Sequence, residues 1–169
     1  VIGTELIPQA GLAFHLGSYT DIKALASKGF RNPVIKEMYM FPPANTQLKP
    51  ERMMNYELSL TQQFGAKGQF NANIFYIDGE NLITTTRIDG RPRNVNMGKF
   101  KNWGIELAGS YDLSKHWRVN ANYSFLNMEN PVEGAPENKF YAGVNFHKGK
   151  WSIASGLQSI GGLYIATGE

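Results

Sequence analysis

Hydrophobic and polar residues alternate strictly along two neighbouring stretches of the chain, 103–111 and 117–125. In the first stretch Trp103, Ile105 and Leu107 fall on one face, and the residues between them are small or polar. Successive side chains of a β-strand point to opposite faces, so each stretch predicts a strand with one apolar and one hydrophilic face. The apolar face of each stretch begins and ends with an aromatic ring. A transmembrane β-barrel presents such a face to lipid and places rings at both water interfaces.

The same alternation, read together with turn residues, predicts an all-β chain of about eight antiparallel strands. The predicted strands cover residues 5–16, 21–29, 52–64, 68–84, 99–111, 116–128, 138–147 and 150–160. Pro8 marks the start of the first strand or a bulge within it, because proline cannot donate a hydrogen bond to a β-ladder.

The predicted connections alternate between short and long. The short turns cover 17–20, 65–67, 112–115 and 148–149, and the long links cover 30–51, 85–98 and 129–137. In an up-and-down meander this alternation places every short turn at one end of the sheet and every long loop at the other. Outer-membrane barrels have short periplasmic turns and long extracellular loops, so the pattern favours a transmembrane barrel.

Strand length agrees with a membrane span. From Tyr56 to Phe64 the extended chain advances about 26 Å, which a tilt of about 40° reduces to roughly 20 Å, close to the apolar band of such barrels. Periodicity alone does not say which face points outward, so a lipocalin-like soluble barrel is the alternative. Alternation also leaves open whether eight strands close by themselves or belong to a larger barrel.

Composition narrows the classes of protein. The chain has 169 residues and a mean hydropathy of −0.33, without the run of 18 or more apolar residues that a membrane-spanning helix needs. Cysteine is absent, which excludes disulfides and thiol chemistry, and a net charge of +3 is too small to indicate nucleic-acid binding. We expect a fragment, because the chain starts at Val1 without a signal peptide and no closing strand follows residue 160.

A set of short motifs occurs in a fixed order along the chain. The first is Ala-Ser-Lys-Gly-Phe-Arg-Asn-Pro at 26–33, followed by Glu37. The others lie at 45–51, 55–58, 75–78, 94–96 and 104–107. Taken together, these motifs resemble the TonB-dependent outer-membrane receptors, and the resemblance runs from about residue 10 to residue 165.

This resemblance implies that residues 1–169 form part of the C-terminal half of a 22-stranded barrel in the bacterial outer membrane, without the plug domain and the closing strands. It implies energised uptake of a scarce nutrient, such as a siderophore, haem, cobalamin or a metal complex. It also implies lipid and lipopolysaccharide as surroundings, a TonB energy-coupling complex as partner through the plug, no cofactor and no catalysed reaction. The alternative is a complete small eight-stranded barrel with a structural or adhesin role.

The segment 85–101 is the strongest candidate for ligand binding. This segment has five basic residues, which are Arg87, Arg91, Arg93 and two lysines. It has one acidic residue, so its local net charge is +4. Arginine binds carboxylates and phosphates through charge-assisted hydrogen bonds, so we expect contact with an anionic nutrient here or with lipopolysaccharide phosphates. Tyr39 and Phe41, in the preceding long loop, are the aromatic candidates for contact with the nutrient.

Other chemically suggestive residues have simpler interpretations. All six methionines (Met38, Met40, Met53, Met54, Met97 and Met128) fall in or near the long-loop end, where apolar packing is favoured over a soft-metal site. Asp112, Ser114 and His116 share one tight turn and are interpreted as turn formers, not as a catalytic triad. The polar lumen wall is predicted to contain Glu57, Glu106, Arg118, Asn120 and Asn122.

Overall fold

The structure, a computed structural model, describes residues 4–131 and 134–163. Its elements in chain order are β1 (Gln9–Leu16), β2 (Thr20–Arg31), α1 (Ile35–Tyr39), β3 (Glu51–Gln63), β4 (Gly68–Glu80), β5 (Ile83–Ile88), β6 (Arg91–Asn96), β7 (Lys99–Asp112), β8 (Trp117–Met128), β9 (Pro136–Lys148) and β10 (Trp151–Leu163). In the described residues, no helix is both long enough and apolar enough to cross a membrane.

Eight strands form one antiparallel sheet in the order β1-β2-β3-β4-β7-β8-β9-β10. Each strand pairs with its neighbours in the chain, except that the hairpin β5-β6 projects between β4 and β7 as a separate two-stranded sheet. Within the described ranges, β1 and β10 are the two edges and do not pair with each other. The described chain is therefore an open up-and-down sheet and not a closed eight-stranded barrel.

The register aligns the apolar positions of neighbouring strands into one continuous face. Leu58 lies opposite Ile74, which lies opposite Ile105, and Ile105 lies opposite Phe125. Directly opposed residues of an antiparallel pair share a face, so the rows extend across the sheet. Trp103 and Phe125 bring their ring centroids to 5.3 Å on this apolar face. The predicted alternation is confirmed, and it places the large hydrophobic side chains together on an exposed surface.

The opposite face carries a lattice of polar side chains. Thr61 donates to Asn71 across β3 and β4 at 3.0 Å, and Asn145 donates to Asn120 across β8 and β9 at 3.3 Å. All these residues alternate with the apolar set, as the predicted lumen wall requires. The lattice lets polar side chains satisfy one another on this face, while the other face presents the apolar rows.

The two longest connections are more structured than the sequence pattern predicted. The link predicted at 30–51 contains α1, and the link predicted at 85–98 contains most of the hairpin β5-β6. The fourth strand was predicted to continue to residue 84, but β4 ends at Glu80 and β5 begins at Ile83. The break occurs at Asn81, whose φ of 61° departs from the extended conformation of a strand.

The packed part of the described chain lies at the long-loop end. Leu48 and Phe100 are the buried hydrophobic residues there, and Glu51 and Asn94 are the buried polar residues. Away from that end, the described strands of the eight-stranded sheet bury no large hydrophobic side chain, because both of their faces are accessible. Stable packing between elements is therefore concentrated where the long loops meet the strand ends.

Candidate ligand-binding surface at the long-loop end

A cluster of ion pairs centred on Arg31, called the clamp below, joins the long loops to the eight-stranded sheet, called the wall. Arg31 ends β2, and its Nε and Nη2 donate to the two carboxylate oxygens of Glu51 at 2.7 and 2.8 Å. Its Nη1 donates to both oxygens of Glu37 in α1 at 2.9 Å. Glu51 also accepts the backbone N–H of Ile83 at 2.8 Å. This clamp therefore connects β2, β3, α1 and the hairpin through one guanidinium group.

The hairpin β5-β6 folds back at Asp89 and Gly90. Their φ angles are 52° and 74°, as a type I′ turn requires at both central positions. At its base, the Asn81 N–H donates to the Gly98 carbonyl at 3.0 Å and the Met97 N–H donates to the Leu82 carbonyl at 2.7 Å. The hairpin thus continues the β4–β7 pairing beyond the kink at Asn81.

Two asparagines of β6 attach the hairpin to the preceding long loop. The buried Asn94 donates its side-chain N–H to the Glu37 carbonyl at 2.7 Å and accepts the Thr85 hydroxyl at 2.7 Å. Asn96 accepts the Lys49 N–H at 2.7 Å and donates to the Lys49 carbonyl at 2.9 Å, as a paired strand residue would. These bonds hold residues 32–50 and 81–98 together as one loop platform.

A second ion-pair cluster lies beside the clamp. Arg52 donates from Nε to Glu5 at 2.7 Å, and the Nη2 of Arg52 also contacts Glu5. Lys28 approaches Glu5 at 3.5 Å, and Glu80 lies 3.7 Å from Arg52. The hydrogen bond from Arg52 lowers the pKa of the Glu5 carboxyl, which opposes a smaller effect of desolvation. This cluster anchors the segment that precedes β1.

A cleft of about 270 Å³ opens between the tip of the hairpin and the preceding loop. Pro42 and Pro43 line one side, and Arg91 and Arg93 line the other. The Nε of Arg93 is buried and has no hydrogen-bond partner among the described residues. None of the ion pairs found in the described chain involves Arg91 or Arg93. The cleft is therefore lined by two guanidinium groups that are outside the ion pairs of the described residues, beside one carboxylate, Asp89.

The structure brings together only part of the predicted ligand set. Arg91 and Arg93 share the cleft, whereas Arg87, Tyr39 and Phe41 are not among its lining residues. Tyr39 ends α1 and is 58% exposed, and Arg87 is exposed on β5. All three lie on the same loop platform as the cleft, so they remain flanking candidates.

The methionines lie at or near the long-loop end of the sheet, as predicted. In the described residues, no group of His, Cys, Asp and Glu side chains is arranged to hold a metal ion. Asp112, Ser114 and His116, the residues weighed as a catalytic triad, make other contacts. The Asp112 carboxylate accepts a hydrogen bond from Arg118 Nε at 2.7 Å, and the Ser114 hydroxyl oxygen accepts the backbone N–H of His116 at 3.2 Å. These contacts stabilise the turn and leave no relay from an acid through a histidine to the serine.

Sequence reasoning missed the residues that build the platform. Glu51, Asn94 and Asn96 were seen only as parts of motifs, and their partners lie 9 to 57 residues away along the chain. The sequence did contain a signal for the hairpin. Asp89-Gly90 is a dipeptide typical of two-residue hairpin turns, and it lies between the stretch 83–88, which is rich in threonine and isoleucine, and the mainly polar stretch 91–96. The contacts of the asparagines had no such local signal.

Comparisons with known proteins agree with this architecture. The sequence profile of the family described as "TonB dependent receptor-like, beta-barrel" matches residues 2–169. The vitamin B12 transporter BtuB of Photobacterium profundum is 36% identical over 59 residues, which is 35% of this chain and 10% of that protein.

Solved structures of similar fold include the copper transporter OprC, with a TM-score of 0.80 and 20% identity over 89% of this chain. The siderophore receptor PirA from Pseudomonas aeruginosa has a TM-score of 0.76 and 17% identity over 90% of this chain. The chain spans 25% of the OprC chain and 30% of the PirA chain, and at these identities the likeness shows the fold. The family profile covers almost every residue, and the chain therefore belongs to the TonB-dependent receptor-like β-barrel family of the outer membrane.

Proposed function

We propose that this chain is a wall-and-loop segment of a receptor that imports a scarce nutrient across the outer membrane. It forms part of the C-terminal half of the barrel, and the plug domain and the closing strands lie outside it. The chain spans 25% of the OprC chain and 30% of the PirA chain, which supports its being one part of a larger barrel. The segment catalyses no reaction, and the TonB energy-coupling complex acts through the plug.

The loop platform is where the nutrient first contacts this segment. The observation that carries this proposal is the cleft between Pro42–Pro43 and the two arginines, neither of which takes part in an ion pair among the described residues. An anionic group of a ligand in the cleft would accept charge-assisted hydrogen bonds from these guanidinium groups. The nutrient is therefore one that carries carboxylate, phosphate or another anionic group.

The clamp explains how such a contact is kept in position. Arg31 holds Glu37 and Glu51, and Glu51 in turn holds the amide of Ile83 at the base of the hairpin. Binding groups mounted on rigid elements lose less conformational entropy when a ligand arrives. Tyr39, Phe41 and Arg87 flank the cleft on the same platform and supply further contact area.

The test uses the full-length receptor that carries this segment. A deletion strain is complemented with the wild-type gene, with Arg91→Gln/Arg93→Gln, or with Lys36→Gln as a control that keeps the cleft intact. Growth is measured with one ferric siderophore, haem, cobalamin or a copper complex as the only source, together with binding to whole cells. We expect the double variant to weaken binding of a single nutrient at least tenfold at unchanged surface expression, whereas Lys36→Gln behaves as wild type. Wild-type growth and binding of the double variant on every source would contradict the assignment.

A further inference from the structure

A pair of asparagines joins the two sides of the cleft that Arg91 and Arg93 line. The Nδ2 of Asn45 donates to the backbone carbonyl of Asn94 at 2.8 Å. Asn45 lies two residues after Pro43, which belongs to the loop side of the cleft. Asn94 directly follows Arg93 in β6. This hydrogen bond therefore ties the loop side of the cleft to the strand that carries the arginines.

The conformation of Asn45 is fixed by two further bonds. Its Oδ1 accepts the backbone N–H of Gln47 at 3.2 Å, and its own backbone N–H donates to the Met38 carbonyl at 2.8 Å. An asparagine side chain that accepts the N–H two residues ahead forms a local turn of its own. The side-chain amide of Asn45 is therefore held in place, and its donor reaches β6.

Asn94 is fixed in the same way from the other side. Its side chain donates to the Glu37 carbonyl and accepts the Thr85 hydroxyl, both at 2.7 Å, and Asn94 is only 5% exposed. Neighbouring side chains of a strand point to opposite faces, so a buried Asn94 leaves Arg93 on the other face of β6. The bonds of Asn94 therefore set both the position of β6 and the face on which Arg93 lies.

We propose that Asn45 and Asn94 are positioning residues, which set the separation between Pro42–Pro43 and the arginines. Neither asparagine is among the residues that line the cleft, so both act through Arg93 and its neighbours on β6. An anionic group then meets donors that are already in place, and less conformational entropy is lost when it binds. This inference rests on the proposed function, because it concerns the same cleft.

Another asparagine of β6 allows positioning to be separated from simple attachment. Asn96 bonds both the N–H and the carbonyl of Lys49, so it also ties the strand to the preceding loop. These bonds lie towards the base of the hairpin, where the Asn96 side chain also donates to the Asn81 carbonyl at 2.8 Å. Loss of Asn96 should loosen the platform without changing the separation across the cleft.

The first test is a double-mutant cycle, measured as binding to whole cells that carry the full-length receptor. The probes are a ferric siderophore, haem, cobalamin and a copper complex. For the probe that Arg91→Gln/Arg93→Gln weakens, we expect Asn45→Ala to lower the affinity about fivefold in the wild-type background. In the Arg91→Gln/Arg93→Gln background its effect should be less than about twofold, because residues that act through one another are not additive. Any loss caused by Asn96→Ala should be the same in both backgrounds.

The second test needs no nutrient. Phenylglyoxal reacts with accessible guanidinium groups, and its reaction with each arginine of the full-length receptor in micelles is followed by peptide mass spectrometry. The Nε of Arg93 is buried in the intact platform. We therefore expect Arg93 to react about threefold faster in Asn45→Ala than in the wild type, because local opening exposes it. Arg87, on β5 outside the cleft, should react at an unchanged rate and is the internal reference.

A milder variant covers the case in which Asn45→Ala impairs folding. Thr85→Val keeps the shape of the side chain and removes the hydroxyl that Asn94 accepts. It should change the affinity and the reactivity of Arg93 in the same direction by a smaller amount. Thr84→Val, the same substitution on the other face of β5, is the matched control and should behave as wild type.

The outcomes separate this inference from the proposed function. The positioning role is wrong if the arginine double variant weakens binding while Asn45→Ala has no effect or the same effect in both backgrounds. An unchanged reactivity of Arg93 in both Asn45→Ala and Thr85→Val would also overturn it. If the arginine double variant binds every probe as the wild type does, the proposed function and this inference both fail.

Discussion

Arg31 and Glu51 are direct partners in the β2–β3 register and form a bidentate ion pair where these strands leave the membrane wall. Glu51 is 5% exposed, so the carboxylate depends on the protein for its hydrogen bonds. It obtains three of them, two from Arg31 and one from the Ile83 N–H. The pair therefore connects the barrel wall to the base of the hairpin.

Replacing Glu51 by Gln is expected to loosen the hairpin without unfolding the wall. The neutral amide cannot pair bidentately with Arg31, and loss of hydrogen bonds to a charged group costs about 2 kcal/mol. The amides of 83–88 should then exchange with deuterium roughly 30-fold faster, because local opening controls their exchange. The measurement is hydrogen–deuterium exchange with mass spectrometry on the full-length receptor in micelles.

The control for this prediction is Glu129→Gln, which changes an exposed residue at the same end of the sheet. Equal exchange in the two variants would show that the clamp does not hold the hairpin.

Replacing Gly90 by Ala should destabilise the tip of the hairpin. Gly90 has a φ of 74°, and an L-residue in this left-handed region costs about 1–2 kcal/mol. Gly98→Ala is a matched control, since a methyl group at either glycine meets open space and only Gly90 has a positive φ. Trypsin applied to intact cells should cut after Arg87 about fivefold faster in Gly90→Ala than in the control. Identical cleavage rates would contradict the turn geometry.

Replacing Gly104 by Ala should strain the wall itself. A methyl group there would lie 2.5 Å from the Phe75 ring and would also collide with the Phe125 carbonyl, which the backbone cannot readily move. Overpacking of this kind costs about 1–3 kcal/mol. Gly29→Ala serves as the comparison, because its methyl group would meet Met53 at an ordinary 3.5 Å. We expect a lower unfolding temperature for Gly104→Ala in a heat-modifiability gel, and an unchanged temperature for Gly29→Ala.

Acidification should release the segment that precedes β1. The pKa of Glu5 is lowered in the folded protein, so its ion pair with Arg52 stabilises the docked segment above the unfolded-state pKa. This contribution is lost as the pH falls through the lowered pKa of Glu5. A spin label at the exposed position 6, introduced as Leu6→Cys in a cysteine-free background, should gain mobility over that interval. Glu5→Gln should make the label mobile at every pH. A wild-type label whose mobility does not change with pH would count against the anchoring role.

Most of the wall could be predicted from the sequence. Each predicted strand overlaps a strand of the eight-stranded sheet, and β2, predicted to end at residue 29, continues to Arg31. Alternation with a period of two is a local property, so a strand such as 103–111 shows both of its faces without reference to its neighbours. The turns are equally local, because glycine, aspartate and serine favour them through their own backbone and side-chain preferences.

The candidate site was less predictable. The arginines of 85–101 were found by charge alone, but charge does not show that Arg91 and Arg93 face Pro42 and Pro43. A long connecting loop was predicted at 85–98. The structure instead has the hairpin β5-β6, because the Asp89-Gly90 turn allows this part of the chain to pair with itself. The assignment of the site to an imported nutrient stays a prediction.

The sequence by itself determined that this chain is an antiparallel sheet with one apolar face, its short turns at one end and its long loops at the other. Those features depend on neighbours one to a few residues apart. Only the tertiary structure decided that Arg31, Glu37, Glu51 and Ile83 meet, and that Asn94 is buried between two loops. Such contacts join residues up to 57 positions apart. They depend on the strand register and on the path of each loop, and no local pattern of residues encodes that path.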